Sequence, residues 1–454
     1  MTTPVCPDFD ELGLFTDLYE LSMAQAYWAE RMAEPAVFSL FFRKLPEPRN
    51  FILACGQVHA ARLVTGIRFP RRQLDRLAGL GLFQDRFLDW LEGFRFSGDI
   101  HALEEGTPVF PHEPLLEVRA PVAEAQLLES MLMNYINLET LLASKAARMV
   151  LAAGERPVID FGMRRMHGLD AALRGVRAYR VAGVAGTSNV LGALRYGLPP
   201  RGTMAHSFIQ AHDDEMQAFR LYARLYPGTT LLVDTYDTLV AVDKVISLVR
   251  DEGLDVGGIR LDSGDLGGLA TKARQRLDRA GLQAVKIVAS GGLDEWRIRD
   301  LLAGGAPIDS FGVGTEMGSV ADAPALDFAY KLTEYAGEPR LKNSPGKQLV
   351  PGAKQVWRFQ DAAGRYTHDE ITRREEIRDA AALLKPVIRD GEPCTGEPDL
   401  EMIRRRSQDA LQRMPADMLR LEPMHTPYPV RFSSALRALR GKALATLDQH
   451  LSEK

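Results

Sequence analysis

The chain has 454 residues, of which 46% are hydrophobic and 26% charged, with a formal net charge of −4 and a pI near 6.2. This length exceeds what one hydrophobic core usually organises, so two domains, or one large domain with an attached smaller one, are expected. The mild acidity gives no electrostatic reason to expect sequence-independent binding to nucleic acid or to an anionic membrane.

The cysteines and the N-terminus predict the compartment. Cys6, Cys55 and Cys394 are odd in number and far apart, which argues against a disulfide framework or a structural zinc site. The N-terminus has acidic residues and no basic stretch before an apolar core, so it does not resemble a signal peptide. No uncharged apolar run of about 18 residues occurs, so no membrane span is expected. We therefore expect a protein of the reducing cytoplasm.

Residues 1–120 are expected to form an N-terminal α+β domain. Apolar residues at helical spacing predict a helix over 16–32, and β-branched and aromatic residues predict a strand over 36–46. Alternating apolar and polar residues between prolines predict short strands within 104–121.

A proline then opens a long apolar-periodic segment, which predicts one major helix over 122–153.

From residue 157 the pattern changes to short apolar strands, each followed by a polar or glycine-rich turn and a helical stretch. Seven strands are predicted, over 157–164, 181–188, 202–208, 229–237, 256–265, 285–292 and 309–316. Repeated strand–helix units indicate a parallel α/β fold. A closed barrel, over 121–330, is favoured over an open doubly wound sheet because polar residues follow nearly every strand.

The remaining segment, 331–454, is expected to rejoin the N-terminal domain and to end in helices. Strands around a lysine-rich loop are predicted within 325–359, with a hairpin partner over 364–372. Helices are predicted over 402–414 and 433–447. The arginine run in the first of these helices is typical of a solvated face.

Glycine-rich turns follow the last two predicted strands. One turn is Ser290-Gly291-Gly292, and the other contains Gly314 and Thr315. Exposed backbone N–H groups in such turns can hold a phosphate at a helix N-terminus, and barrels commonly bind phosphate at their last two strands. Tight packing is the alternative reason for these glycines, but two such turns on consecutive strands favour a phosphate site.

The segment Ile259–Leu266 combines a basic residue, carboxylates and a serine after an apolar strand. Carboxylates spaced like Asp262 and Asp265 can hold Mg²⁺ or sugar hydroxyls, and Arg260 can bind a phosphate through two N–H groups. The alternative is helix capping by Asp262 or Ser263, which would explain one of these residues but not all of them. With the phosphate turns, the segment indicates a phosphorylated sugar that also carries a diphosphate.

Two further side chains stand at strand ends. Phe161 precedes Arg164 and Arg165 and can stack on a flat ring, although a lone phenylalanine in a strand is usually a core residue. His206 lies where an apolar run changes to an acidic, helical stretch, three residues after Thr203. Alone it would most often be a core or capping histidine, but a place at a strand end of a barrel favours a functional role.

Six segments occur along the chain in the order TDLYELSMAQAYW, DFGMRR, GTSNVLGA, GTMAHSF, IRLDSGDL and FGVGT. As an ordered set they resemble the nicotinate phosphoribosyltransferase family, within the type II phosphoribosyltransferases. The resemblance runs from about residue 14 to about residue 360 and includes LLKPVIRDGEP and PADMLRLEP nearer the C-terminus. It therefore covers most of the chain.

The resemblance implies a reaction. Nicotinate and 5-phosphoribosyl 1-diphosphate would give nicotinate mononucleotide and diphosphate, coupled to ATP hydrolysis, as the first step of NAD biosynthesis from nicotinate. Mg²⁺ would accompany the diphosphate. The family fold is an irregular α/β barrel beside a discontinuous α+β domain from the N- and C-terminal segments, and relatives are homodimers with shared active sites.

The resemblance also implies roles for individual residues. His206 would be phosphorylated by ATP, and Asp262 and Arg260 would also be catalytic, with Asp262 at the ribose. The nicotinate pocket would contain Tyr19, supplied by the neighbouring subunit, together with Phe161, Ser188, Thr203 and Arg260. Phosphoribosyl diphosphate would be bound by Arg164, Asp262, Ser290, Gly291, Gly292, Gly314, Thr315, Lys342 and Lys347. No metal ligand is assigned, because the diphosphate itself would hold most of the Mg²⁺.

Three alternatives are weighed against this hypothesis. A nicotinamide phosphoribosyltransferase is the nearest, but amide-using relatives carry an aspartate where Ser188 stands, and a serine removes a charge that would repel nicotinate. A quinolinate phosphoribosyltransferase is typically shorter and lacks the phosphorylated histidine. A non-catalytic barrel acting as a nucleotide-sensing module would not need His206, Asp262 and the paired arginines.

Overall fold

The computed structural model describes residues 9–342, 349–394 and 396–452. The chain forms two compact units. The discontinuous unit contains residues 1–141 and 325–454, and the parallel unit contains residues 142–324. The first unit therefore draws on both ends of the chain, as the expected fold class requires. The domain boundaries predicted after residues 120 and 330 stay predictions, and the compact units divide instead after residues 141 and 324.

The N-terminal part of the chain begins with a 3₁₀ turn over Phe9–Leu14. Its helices and strands are α1 (Leu18–Ala29), β1 (Pro35–Phe42), β2 (Ile52–Leu53), α2 (Gln57–Val64), α3 (Arg71–Ala78), α4 (Asp85–Glu92), β3 (Asp99–Leu103), β4 (Pro108–Val109), β5 (Leu116–Pro121), α5 (Val122–Gln126) and α6 (Glu129–Ala153). The predicted first helix and first strand are present as α1 and β1.

The single long helix predicted over 122–153 is wrong in one respect, because the structure has two helices, α5 and α6. The backbone tightens between them, where the Leu128 N–H donates to the carbonyl of Ala125. The Glu20 side chain then accepts the Ser130 N–H at 2.9 Å in the first turn of α6. A carboxylate at a helix N-terminus stabilises a new helix start, and periodicity alone does not show such a break.

The middle of the chain alternates strands and helices. Its elements are β6 (Val158–Asp160), α7 (Leu169–Ala182), β7 (Gly186–Thr187), α8 (Val190–Tyr196), α9 (His206–Gln210), α10 (Glu215–Leu225), β8 (Thr229–Leu232), α11 (Thr238–Arg250), β9 (Val256–Leu261), α12 (Leu266–Arg279), β10 (Lys286–Ala289), α13 (Glu295–Ala303), β11 (Ser310–Val313) and α14 (Thr315–Ser319). A 3₁₀ turn covers Met163–Arg165.

Six parallel strands of the parallel unit pair in the order β7-β6-β11-β10-β9-β8. Ile259, Leu261, Ile287 and Phe311 are fully buried along them. Burial on both faces by flanking helices explains why these strands read as apolar runs. The sheet curls as a half-barrel, so the expected fold class, an irregular α/β barrel with a discontinuous α+β domain, is confirmed. The predicted closure of the barrel is wrong, because β7 and β8 are left as the two edges of this sheet.

The strand predicted over 202–208 is wrong. The only ladder contact assigned near it is an isolated bridge between Thr187 and Pro200, and the segment then enters α9 directly. The backbone pairs with β7 before the predicted segment begins, where the Thr187 N–H donates to the Pro199 carbonyl and the Arg201 N–H donates to the Thr187 carbonyl. The residues before α9 therefore form a loop beside the edge strand β7.

The C-terminal part of the chain supplies the remaining elements. They are β12 (Phe328–Tyr335), β13 (Glu338–Pro339), β14 (Lys354–Gln360), β15 (Tyr366–Arg373), β16 (Ala381–Ala382), β17 (Leu384–Arg389), β18 (Glu392–Pro393), α15 (Leu400–Arg413), β19 (Val430–Phe432) and α16 (Ser434–Ser452), with a 3₁₀ turn over Ala416–Leu419. The predicted hairpin partner is β15, and the two predicted helices are α15 and α16.

The sheets of the discontinuous unit join the two ends of the chain. The largest has the order β13-β12-β1-β5-β3-β17-β18, and two smaller sheets have the orders β16-β14-β15-β19 and β2-β4. β1 pairs antiparallel with both β12 and β5. Phe38 on β1 stacks on Tyr330 of β12 with ring centroids 4.9 Å apart. Such cross-strand aromatic contacts fix the register between segments almost 300 residues apart in sequence.

Two clusters of buried charges lie in the discontinuous unit. In one, Glu117 of β5 accepts from the Lys354 ammonium at 3.1 Å and from the Arg374 guanidinium at 2.5 Å. In the other, the Arg358 guanidinium donates to Asp369 at 2.6 Å, and the Tyr428 hydroxyl donates to the same carboxylate at 3.1 Å. Buried charges are stable only when such partners satisfy them.

Within the described part of the chain, no helix combines the length and apolarity needed to cross a bilayer. Cys55 is buried and Cys394 is exposed, and neither forms a disulfide bond with another described residue. Cys6 lies outside the described residues.

Candidate active site

A cavity of about 380 Å³ opens at the carboxyl ends of the parallel strands. It is lined by Phe161, Arg164, Arg165, Ser188, Gly202, Thr203, Met204, Ala205, His206, Arg260, Asp262, Ser290, Gly291, Gly292, Leu293, Gly312, Gly314, Thr315 and Glu316. Strands of a parallel sheet end at the same edge, so residues that are distant in sequence meet there. Both arginine and carboxylate side chains face this space, which suits a ligand with anionic and hydroxyl groups.

Arg260, near the end of β9, is the central cation of the cavity. Its side chain is 13% exposed, and its Nη1 donates to the Thr203 hydroxyl at 2.6 Å. The Nε is buried and has no hydrogen-bond partner among the described residues. Burial lowers the pKa of Arg260, although Asp262 acts to raise it, and a guanidinium stays protonated in proteins. Arg260 is therefore a partly desolvated cation with unused donor capacity.

Phe161 forms an aromatic wall beside this cation. Its ring centroid lies 5.9 Å from the Arg260 Cζ. The ring also packs on Gly312, where an added Cβ would lie only 2.4 Å from the Phe161 Cε2. Phe161 is half-buried, with its N–H bonded to the Val313 carbonyl at 2.7 Å. Phe161 is thus a cavity wall held in place by the backbone, and not a core residue alone.

His206 and Asp262 face each other across the cavity. The His206 Nε2 lies 3.9 Å from an Asp262 oxygen, and its Nδ1 lies 3.1 Å from the Thr235 hydroxyl. The imidazole is 40% exposed. The Ser290 hydroxyl donates to the other Asp262 oxygen. The histidine therefore has one side fixed by a hydroxyl and remains open to a reactant.

Asp234, at the end of the stretch that follows β8, supports the loop that carries Asp262. One of its oxygens accepts from the Asp262 N–H at 2.9 Å and from the Ser263 hydroxyl at 2.6 Å. Its other oxygen, Oδ1, is buried and has no hydrogen-bond partner in the described part of the chain. The Asp234 carboxylate therefore fixes the loop by these two hydrogen bonds, while the Asp262 side chain faces the cavity.

The turn Ser290-Gly291-Gly292 lies against this loop. Gly291 has φ +84°, and a Cβ there would lie 1.8 Å from the Asp262 carbonyl oxygen. Only glycine fits such a close approach in the left-handed region. Packing therefore explains Gly291, and the same packing exposes the backbone of the turn to the cavity.

The structure brings together the predicted site residues of the parallel unit. Those that line the cavity are Phe161, Arg164, Ser188, Thr203, His206, Arg260, Asp262, Ser290, Gly291, Gly292, Gly314 and Thr315. Their roles toward a substrate stay predictions.

Two predicted site residues do not line this cavity, and a third is not described. Tyr19 belongs to α1 of the discontinuous unit, where it lines a separate cleft with Glu129. Lys342 is an exposed residue of the same unit. Lys347 lies outside the described residues. Their assignment to the site stays a prediction.

The capping alternative for Asp262 or Ser263 is wrong. The N-cap of α12 is Asp265, whose side chain accepts the Gly268 N–H at 3.1 Å. Gly264, with φ +77°, reverses the backbone before the helix and separates the cap from Asp262. Asp262 is therefore left available to the cavity.

Sequence reasoning missed several residues around the cavity. Glu316 and Leu293 line it, and Thr235 contacts His206. Thr235 and Glu316 lie in the last residues of predicted strands and Leu293 directly follows one, so position was a signal for them. Residue type was not, because a threonine or leucine at such a place is common for packing reasons.

Three family models match the chain. The nicotinate phosphoribosyltransferase N-terminal domain matches residues 14–137, the nicotinate phosphoribosyltransferase family model residues 157–358, and the C-terminal domain residues 377–440. Together they cover most of the sequence and both compact units.

Relatives that carry the family's name agree with these matches. A nicotinate phosphoribosyltransferase of Mycobacterium tuberculosis is 50% identical over 93% of this chain and 92% of its own length. One from Bacillus subtilis is 39% identical over 77% of this chain and 74% of its own length. The crystal structure of human nicotinic acid phosphoribosyltransferase superposes with a TM-score of 0.83 at 27% identity, over 94% of this chain and 99% of that one. The chain therefore belongs to the nicotinate phosphoribosyltransferase family.

Proposed function

We propose that this enzyme joins nicotinate to 5-phosphoribosyl 1-diphosphate, giving nicotinate mononucleotide and diphosphate. This is the first step of NAD biosynthesis from the free acid. The observation that carries the proposal is the cation Arg260, partly desolvated, beside the Phe161 ring and across from Asp262. In this proposal the cation binds the carboxylate of nicotinate, the aromatic ring stacks on the pyridine, and the aspartate stabilises the positive ribose.

Nicotinate fits the part of the cavity around Phe161. The pyridine ring would stack on Phe161 while its carboxylate accepts from Arg260, with Thr203 and Ser188 close by. Thr203 already accepts from Arg260 at 2.6 Å, which holds the guanidinium in place. A charged hydrogen bond in a desolvated site is stronger than one in water, which favours the acid over the neutral amide.

Phosphoribosyl diphosphate fits the glycine turns. The 5-phosphate would bind the N–H groups of Ser290-Gly291-Gly292 and of Gly314-Thr315, and Arg164, Lys342 and Lys347 would neutralise phosphate charges. The bond between the ribose C1 and the diphosphate oxygen breaks, and a bond from the pyridine nitrogen to C1 forms. Asp262 stabilises the positive charge that develops on the ribose in between. The nitrogen is already nucleophilic, so positioning is the main task of the pocket.

Mg²⁺ is proposed to enter with the substrate. Among the described residues no group of three or more His, Cys, Asp and Glu side chains could hold a metal ion. Mg²⁺ commonly binds through one or two carboxylates plus substrate phosphates, and Asp262 supplies such a carboxylate in the cavity. The ion would neutralise charge on the departing diphosphate.

ATP coupling is proposed to proceed through His206. An imidazole nitrogen would attack the γ-phosphorus of ATP, forming a nitrogen–phosphorus bond as ADP leaves, and water would later release phosphate. The half-open imidazole and its contact with Thr235 support this role, because the ring is both oriented and accessible. Placing the phosphohistidine in the same cavity as the diphosphate couples the two reactions.

A homodimer with shared active sites is also proposed, in the reducing cytoplasm. Large apolar side chains that are more than half exposed in the parallel unit support an interface, and they include Leu169, Val190, Leu191, Leu194 and Tyr236. A second copy would cover them and supply Tyr19 to the site. Sedimentation of the purified chain would measure its oligomeric state, and a monomer at micromolar concentration would contradict the dimer.

Incubation with phosphoribosyl diphosphate and Mg²⁺, with nicotinate or nicotinamide and with or without ATP, tests the function. We expect nicotinate mononucleotide in both nicotinate reactions and more of it with ATP. Product from nicotinamide only would support the amide-using alternative, and no product from either base would support a non-catalytic role. Ser188→Asp is the matched variant, and we expect it to lose preference for the acid.

A further inference from the structure

Asp160 is a buried carboxylate behind the cavity. It ends β6, is 1% exposed, and does not line the cavity. Its Oδ1 accepts the Gly162 N–H at 2.8 Å, and its Oδ2 accepts the Thr187 hydroxyl at 2.6 Å. Each carboxylate oxygen therefore holds a different turn of the chain, one on either side of the strand end.

The hydrogen bonds continue from Thr187 into the next helix. The Thr187 hydroxyl oxygen accepts the Asn189 N–H at 3.1 Å. The Asn189 side chain in turn caps α8 by accepting the Gly192 N–H at 3.0 Å. Between them, the Ser188 N–H donates to the Asp160 carbonyl at 2.9 Å. Ser188 thus lies in a turn fixed at both ends by groups that connect to Asp160.

We propose that Asp160 is a positioning residue that fixes Phe161 and Ser188, two walls of the nicotinate pocket. The inference rests on the proposed function and adds a residue that does not line the cavity. Phe161 follows Asp160 directly, and the Gly162 contact closes the turn in which Phe161 lies. Misplacement of such walls by about 1 Å is enough to weaken a productive complex strongly.

The network requires a carboxylate rather than an amide. Both oxygens of Asp160 accept hydrogen bonds, whereas an asparagine has one acceptor oxygen and one donor nitrogen. An NH₂ directed at Thr187 would leave the Thr187 hydroxyl proton without an acceptor. Burial raises the pKa of Asp160, and the donations from Thr187 and Gly162 act against that rise. Asp160→Asn therefore keeps the shape and removes one hydrogen bond.

The test compares Asp160→Asn and Thr187→Val, which is close in shape but has no hydroxyl. We expect each to raise the KM for nicotinate about tenfold, the equivalent of one charge-assisted hydrogen bond. ATP hydrolysis without nicotinate should change less than about twofold, because the network contacts neither His206 nor the turn 290–292. The KM for phosphoribosyl diphosphate should rise less than the KM for nicotinate, because Gly162 lies close to the Gly314 carbonyl but Asp160 bonds to neither phosphate turn. Thr187→Ser, which keeps the hydroxyl, should restore the KM.

The double variant gives a second measure. If both side chains act through one hydrogen bond, Asp160→Asn with Thr187→Val should be no worse than the worse single variant. Asp237→Asn is the control, because Asp237 is likewise an aspartate with two hydrogen bonds, from the Leu239 and Val240 N–H groups, but does not line the cavity. It should leave both KM values unchanged.

Two results would overturn the proposal. One is an unchanged KM for nicotinate in both Asp160→Asn and Thr187→Val. The other is an equal rise in KM for both substrates with a matching fall in Tm, which would show general loosening. A wild-type chain that makes no nucleotide from nicotinate would contradict the proposed function instead. Amide hydrogen exchange would then still test the network, with faster exchange expected at residues 162 and 189 in Asp160→Asn.

Discussion

Two charge clusters, one in each compact unit, differ in how far protein groups satisfy them. In the discontinuous unit, Arg358 is 2% exposed and donates to Asp369 and to the Pro108 carbonyl, so protein groups satisfy it. In the cavity of the parallel unit, Arg260 donates to one hydroxyl, its Nε has no partner among the described residues, and Asp262 lies 3.9 Å away. A satisfied cluster stabilises a fold, whereas an incomplete one is suited to a ligand that completes it.

The largest expected effect comes from the Arg260–Asp262 cluster in the cavity, which protein groups satisfy only in part. Asp262→Asn keeps the shape and the contact with Ser290 but removes the negative charge that faces the ribose. We expect kcat/KM for nucleotide synthesis to fall about a hundredfold or more, as when one preorganised electrostatic group is lost. The Tm should change little. Steady-state kinetics and a thermal melt measure both, and a variant with more than about a third of the wild-type kcat/KM would contradict the role.

For the Arg358–Asp369 cluster we expect the reverse, a large loss of stability with no loss of kcat/KM. Asp369→Ala would leave the Arg358 charge buried without its carboxylate, and should lower the free energy of unfolding by about 3 kcal/mol or more. The kcat/KM of the folded enzyme should be unchanged. Urea unfolding followed by circular dichroism measures the loss.

An exposed pair provides the control for this variant. Arg71 and Asp75 lie 3.2 Å apart with about two thirds of each side chain exposed. Exposed pairs contribute little, so Asp75→Ala should leave the unfolding curve unchanged. Equal effects of Asp369→Ala and Asp75→Ala would show that burial of the cluster is unimportant.

The sequence predicted the parts of this comparison that depend on local pattern. Apolar runs between turns located all six strands of the parallel sheet. The same rule failed over 202–208, because the chain pairs with β7 only at an isolated bridge before this segment and then enters α9 at His206. The break between α5 and α6 was also missed, since Glu20, 110 residues earlier in the chain, caps the second helix.

For the site, strand ends identified Arg260 and Asp262 because parallel strands meet at one edge. His206 was assigned to a strand end that is not there, and it lines the cavity as the first residue of α9. The sequence did not show which residues would satisfy one another. The Lys354 N–H donates to Glu117, 237 residues away in the chain. Such pairs depend on how distant segments pack, and no local spacing encodes them. Whether a charge is satisfied or open is therefore a property of the fold.

Glu113 lies beside the Arg358–Asp369 cluster, and its substitution is expected to have a smaller effect on stability. Unlike Asp369→Ala, it should increase the free energy of unfolding. Its burial, together with the charge of Asp369, raises the pKa of Glu113 well above its usual range. One oxygen accepts the Phe110 N–H at 3.0 Å, and the other is buried without a partner among the described residues. Because the folded pKa exceeds the unfolded one, the stability from this group is lost as the pH rises through the folded pKa.

Glu113→Gln removes this titration and keeps an acceptor for Phe110. Below the ordinary glutamate pKa, where Glu113 is protonated in both states, variant and wild type should have similar Tm values. As the pH rises, the variant should become increasingly more stable than wild type. Thermal melts across pH 4 to 8, roughly the range over which a buried carboxyl titrates, measure the difference. A constant difference at every pH would contradict the raised pKa.

The smallest expected effect separates capping from ligand binding within one segment. Asp265 caps α12 and does not line the cavity, although it stands three residues from Asp262. Asp265→Ala should lower the free energy of unfolding by about 1 kcal/mol and leave kcat/KM unchanged. Asp265→Asn, which can still accept the Gly268 N–H, should keep the stability. If Asp265→Ala instead reduced kcat/KM as strongly as Asp262→Asn, both carboxylates would face the ligand. The assignment of Asp265 to helix capping and of Asp262 to the ligand would then be wrong.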